Sequence, residues 1–88
     1  MTTRTLKLNP DNFFHARPAA KIAGIASSYE SVIMVMLGTE TADAKDALSL
    51  MRLGHPGSTP VDILADGPDE ADALQGVAEV MQGEFLLA

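Results

Sequence analysis

The chain contains no cysteine, so neither a disulfide framework nor a thiolate metal site can be built from it, which fits a reducing compartment. Basic residues are scarce: six Lys and Arg stand against twelve Asp and Glu, a formal charge of −6. That balance opposes the electrostatic footprint of a nucleic-acid binder, and no DNA or RNA partner is expected. No stretch approaches the roughly 20 apolar residues of a membrane span, and Met1-Thr2-Thr3-Arg4 lacks the apolar core of a signal peptide. A soluble cytoplasmic protein without membrane insertion is therefore expected. Phosphate-cradling glycine loops, nucleophile elbows, dinucleotide fingerprints and metal motifs are missing, so no cofactor and no metal are expected. His55 sits in a Pro/Gly loop with no neighbouring Cys or His, which argues against a ligand role. No repeat, low-complexity segment or linker divides the chain, and its 88 residues are expected to form one domain over 1–88. A domain of that size is too small to enclose a deep substrate cavity beside its core, which argues against a free-standing metabolic enzyme.

What the chain does have is clear periodicity. Thr5-Leu6-Lys7-Leu8 alternates and reads as a strand with Leu6 and Leu8 facing a core. From Ala16 to about Ser28, Ala19, Ile22, Ala23 and Ala26 recur at helical spacing, with Gly24 on another face. Val32–Leu37 is an apolar run leading through Gly38-Thr39 into Glu40–Asp43, which predicts a hairpin. A short helix follows, with a polar entry at Asp46, apolar positions Ala47, Leu48, Leu50 and Met51, and a stop at Gly54. Val61 to Ala65 reads as a strand with Val61, Ile63 and Ala65 on one side. The last helix begins at Gly67-Pro68-Asp69, with Asp69 as N-cap, buries Leu74, Val77, Ala78 and Met81, and stops at Gly83. The order βαββαβα predicts an α/β (α+β) two-layer sandwich, a four-stranded sheet covered on one face by two long helices and a short one. Periodicity alone does not separate it from other small sandwiches, such as ligand-binding regulatory domains.

The residue richest in chemistry is His15, in Phe14-His15-Ala16-Arg17-Pro18-Ala19-Ala20. It stands at a helix start, where the free N–H groups of residues such as Ala16 and Arg17 and the positive dipole end attract an anion. Arg17 adds a planar, permanently charged fork for phosphoryl oxygens, and Pro18 suits a first helical turn. An imidazole is a competent nucleophile near neutral pH, so the group points to phosphoryl transfer. The alternative is an ordinary surface or capping histidine.

Asn12 to Lys21, Lys45 to Gly54 and the order of elements along essentially the whole chain resemble HPr, the histidine-containing phosphocarrier family of the bacterial phosphoenolpyruvate-dependent phosphotransferase system. The resemblance implies an open-faced sandwich with a four-stranded antiparallel sheet. It also implies that His15 carries a phosphoryl group on Nδ1, stabilised by Arg17. Asn12 either orients the imidazole or caps the helix. Phe13 stands where the family usually has glycine. Asp46 occupies the position of the regulatory serine of many Gram-positive members, either as constant negative charge or as an ordinary N-cap. Ser49, inside the helix, is not given the regulatory role.

By the same resemblance Ala47, Leu48 and Met51 form an apolar docking patch, and Ala20, Lys21, Gly24, Lys45 and Arg52 complete the docking face. Gly24 and Ser27 add no charge where relatives tend to be basic. The implied partners are enzyme I as donor and enzyme IIA proteins as acceptors, in a sugar, nitrogen-related or dihydroxyacetone branch. The alternative is a regulatory module whose binding to a transcription factor or enzyme depends on His15 phosphorylation. A third reading is a small-molecule-binding sandwich. Met34, Met36 and Leu64 should share the sheet face away from the helices, to be covered by Phe85-Leu86-Leu87-Ala88 or to serve a weak homo-oligomer.

Overall fold

In a computed structural model the structure describes residues 1–7, 16–53 and 60–85. The elements are β1 (Thr2–Leu6), α1 (Ala16–Ala26), β2 (Val32–Leu37), β3 (Glu40–Asp43), α2 (Ala47–Met51), β4 (Val61–Asp66) and α3 (Glu70–Phe85). The strands form one sheet in the order β1-β4-β2-β3, with every neighbouring pair antiparallel. This is the open-faced βαββαβα sandwich.

Strand alternation sorts the side chains. Ile33, Val35 and Leu37 of β2, Val61, Ile63 and Ala65 of β4, and Ala42 of β3 are buried beneath the helices. The helices answer with Ala19, Ile22 and Ala26 of α1, Leu50 of α2, and Ala73, Leu74, Val77, Ala78 and Met81 of α3. These residues form one hydrophobic cluster. Gly38, at φ 62°, supplies the left-handed residue of the two-residue turn that joins Leu37 to its partner Glu40.

At the other end of β2, two residues bind the start of α3 to the loop after α1. Gly67 has φ 154°, and a Cβ there would lie 2.7 Å from the Ser31 Cα, so backbone meets backbone in space only glycine leaves. Asp69 accepts hydrogen bonds from the backbone N–H groups of Glu30 and Ser31, both at 2.9 Å, and from the Ser31 hydroxyl. The Asp69 carbonyl takes the Ala73 N–H at 2.9 Å and so opens α3.

Five boundaries differ from the sequence reading, the first being α2, which ends at Met51 with Arg52 as C-cap, short of the expected stop at Gly54, itself outside the described residues. β1 begins at Thr2 and ends at Leu6, because its register against β4 runs from Thr2↔Ala65 to Leu6↔Val61; Lys7 falls after it, and Leu8 lies outside the described residues. α1 ends at Ala26, where the chain tightens into i→i−3 bonds from Ser28 to Ile25 (3.1 Å) and from Tyr29 to Ala26 (3.2 Å). β4 runs one residue further, to Asp66. Gly83 does not stop α3, which continues to Phe85; the glycine is exposed and a glycine inside a helix weakens it without ending it. Phe85 is therefore the last residue of α3, and Leu86 to Ala88 lie outside the described residues.

The face away from the helices carries Thr3, Thr5, Val32, Met34, Met36, Thr41, Asp43, Asp62, Leu64 and Asp66, as the pairings require. The expected placement of Met34, Met36 and Leu64 together is borne out: Met34 pairs directly with Leu64, and all three are half-buried.

Candidate functional site

α1 begins at Ala16, the residue after His15 in the chain. His15 and Asn12 themselves lie outside the described residues, as do Phe13 and His55. The first helical turn holds Ala16 and Arg17, both exposed, and Pro18, which is buried with Ala19. A helix start has backbone N–H groups with no partner inside the helix, and Pro18 removes one donor where it is not needed. Arg17, Ala20, Lys21 and Gly24 are all exposed and follow one another at i, i+3, i+4 and i+7, a solvent-facing stripe opposite Ala19, Ile22 and Ala26.

α2 packs against α1. Its five residues are too few to bury every apolar side chain. Leu50 is fully buried and Ala47 partly so, whereas Leu48 is 67% and Met51 39% exposed. Arg52, at the helix C-cap, is also exposed. The structure thus sets a small apolar patch beside the α1 stripe.

Asp46 caps α2: its carboxylate accepts the Leu48 N–H at 3.0 Å, and its carbonyl accepts the Leu50 N–H at 3.1 Å. Ser49 is occupied differently, its Oγ accepting the Asp43 N–H at 3.0 Å. Lys45 is bonded across the fold. Its ammonium donates at 2.8 Å to the carbonyl of Tyr29, in the turn three residues past the end of α1, and is partly buried. Sequence reading could not find this contact, because nothing local marks a lysine sixteen residues from its acceptor.

Electrostatically, Asp69 is shifted by the contacts that hold the start of α3. The Ser31 hydroxyl and then the Glu30 N–H stabilise its charged form and hold its carboxyl below the ordinary 3.8. Glu70 is lowered by its hydrogen bond from the Met1 ammonium, 2.8 Å away, and by the Gly67 N–H. No ligand-sized cavity and no cluster of three or more His, Cys, Asp or Glu occurs among the described residues. No helix among them is long and apolar enough to cross a membrane.

Fold and surface together define a class: a small open-faced sandwich whose exposed chemistry gathers on two adjoining helices rather than in a pocket. The family model describing the phosphorylation site of the HPr component of the phosphotransferase system matches residues 2–83. The chain belongs to the HPr family of phosphocarrier proteins. It is 31% identical over 85 residues to the phosphocarrier protein HPr of Treponema pallidum, covering 97% of each chain. The Mycoplasma histidine-containing phosphocarrier protein superposes with a TM-score of 0.90 over 99% of this chain and all of that one, at 24% identity, which speaks for the fold. HPr of Thermoanaerobacter tengcongensis gives 0.84 at 28% identity, covering 96% and 94% of the two chains. The HPr of that bacterium is also solved as a dimer, with a TM-score of 0.72.

Proposed function

We propose that this protein is a cytoplasmic phosphoryl relay in which His15 accepts a phosphoryl group from phosphorylated enzyme I and passes it to the A component of a sugar-specific or related enzyme II. The observation that carries this reading is the match to the HPr phosphorylation-site family over residues 2–83. An α1 that begins directly after His15, with Arg17 exposed in its first turn, is consistent with it. The protein itself turns over no substrate; it is a covalent carrier between two histidines of other proteins.

In the transfer, the Nδ1 lone pair of His15 attacks phosphorus, the P–N bond to the donor histidine breaks, and that electron pair returns to the donor imidazole. Delivery reverses the step on the acceptor. Arg17 and the first-turn N–H groups of Ala16 and Arg17 stabilise the negative oxygens as the group is exchanged. Asn12 orients the imidazole. Ala20, Lys21, Gly24, Ala47, Leu48, Met51 and Arg52 make the docking face for both partners.

The test is incubation with phosphoenolpyruvate and enzyme I, followed by assay for acid-labile, base-stable phosphate. His15→Ala should abolish uptake and keep the fold, whereas Arg17→Ala should slow transfer on the order of 10²-fold, as for a removed transition-state donor. Undiminished labelling of His15→Ala refutes the assignment.

A further inference from the structure

We infer that the open face of the sheet is a second docking surface, fitted to a protein segment that presents an apolar strip edged by Lys or Arg. The face has an apolar centre at Met34 and Leu64, with carboxylates around it: Asp43 on the edge strand β3, and Asp62 and Asp66 on β4 either side of Leu64. Val32, 59% exposed, pairs with Asp66. Met34 pairs with Asp43 on one side and Leu64 on the other, and Met36 pairs with Asp62. Each apolar side chain of β2 on this face therefore has a carboxylate opposite it.

Positive charge is sparse here. The only basic residue within the four strands is Arg4, which lies on the other face and donates to Gln75 of α3 at 3.3 Å. The Met1 ammonium is 3.5 Å from Asp66 but is shared with Glu70, and Lys7 follows the end of β1. The Thr5 hydroxyl donates to Asp62 and leaves its charge in place.

This charge pattern decides the occupant. A second copy laid face to face would set three carboxylates against three, and like charges across an interface oppose association. Anionic lipid would be repelled for the same reason. A basic-edged segment gains at both the centre and the rim, and methionines let the centre adapt to its shape. The face lies across the sheet from α1 and α2, so it stays accessible whether or not the proposed phosphoryl-transfer partners are bound.

Methyl NMR of the full chain labelled in methionine tests this independently of phosphoryl transfer. The probes are a synthetic peptide of alternating Leu and Lys and its Leu/Glu counterpart, at low salt. The Met34 and Met36 methyls should shift with the Lys peptide and not with the Glu peptide, while Met51, on α2, stays still. Asp62→Asn with Asp66→Asn should weaken binding about fivefold or more, and Met34→Thr, which keeps a strand-forming residue, should weaken it too. Shifts at Met51 instead, equal binding of the Glu peptide, or no shift at Met34 and Met36 overturns the inference. So does a doubled mass in light scattering with those methyls broadened, which makes a second copy the occupant, or equal shifts with phosphatidylserine vesicles.

Discussion

The carboxylate of Asp46 does the same mechanical work a serine hydroxyl would do at an N-cap, since both accept a hydrogen bond from the N–H two residues on. Its fixed charge also sits favourably at the positive end of α2. Two outcomes separate these contributions. Asp46→Ala should cost about 1 kcal/mol in chemical denaturation, as a lost cap does, whereas Asp46→Ser should stay within a few tenths. A serine-directed HPr kinase should label Asp46→Ser and leave the parent protein unlabelled, because the carboxylate has no hydroxyl to offer. Phosphate on Ser49 of the parent would contradict this reading, since its Oγ is engaged with the Asp43 N–H. The cap was legible in sequence because capping is local: an Asp directly before an apolar helical run carries its own mechanism. Lys45 was not legible, because its acceptor is set by how α1 and α2 pack.

Elements here are joined by polar contacts that cross the chain. Lys45 ties the turn after α1 to the entry of α2, so Lys45→Met, which keeps the aliphatic stem, should cost about 1–2 kcal/mol in urea unfolding while changing enzyme I transfer less than Lys21→Met or Arg52→Met. Asp69 ties the start of α3 to the loop before β2, and its depressed pKa gives that tie a pH signature. Its contribution is complete above the ordinary carboxylate value of 3.8 and is lost as pH falls through the lower folded value. The stability difference between the parent and Asp69→Asn should therefore hold constant from neutrality to about pH 5 and shrink on further acidification; a gap that persists at pH 2 assigns the effect to packing. The elements themselves were readable where one face repeats, as in β2, α1 and the buried stripe of α3. They were misjudged where pairing or packing sets the boundary. Thr2, Thr3 and Arg4 have no apolar alternation and become a strand only through β4, and Gly83 remains helical because local preference yields to a packed helix.

At the scale of the whole molecule, the two-layer architecture followed from element order and amphipathic faces, whereas the proposed docking surfaces needed the packed structure, since exposure of Leu48 and burial of Leu50 depend on which turn of a short helix meets the core. With a net charge of −6 and Lys45 bonded to the Tyr29 carbonyl, the exposed basic residues of the proposed docking face are Arg17, Lys21 and Arg52. Long-range attraction to an acidic partner is correspondingly weak, and association rate is the quantity that such steering controls. Gly24 offers a place to change it: it is exposed on the Arg17–Lys21 stripe, and a Cβ there meets nothing within 4 Å. Gly24→Lys adds a charge where no side chain must move and removes a glycine from a helix interior, which is worth roughly 0.5–1 kcal/mol. The variant should unfold at higher urea, accept phosphoryl groups from enzyme I with a higher second-order rate constant at low salt, and lose that gain as ionic strength rises. Higher stability with an unchanged rate would mean that this end of α1 lies outside the enzyme I contact, and would confine docking to the first turn of α1 and to α2.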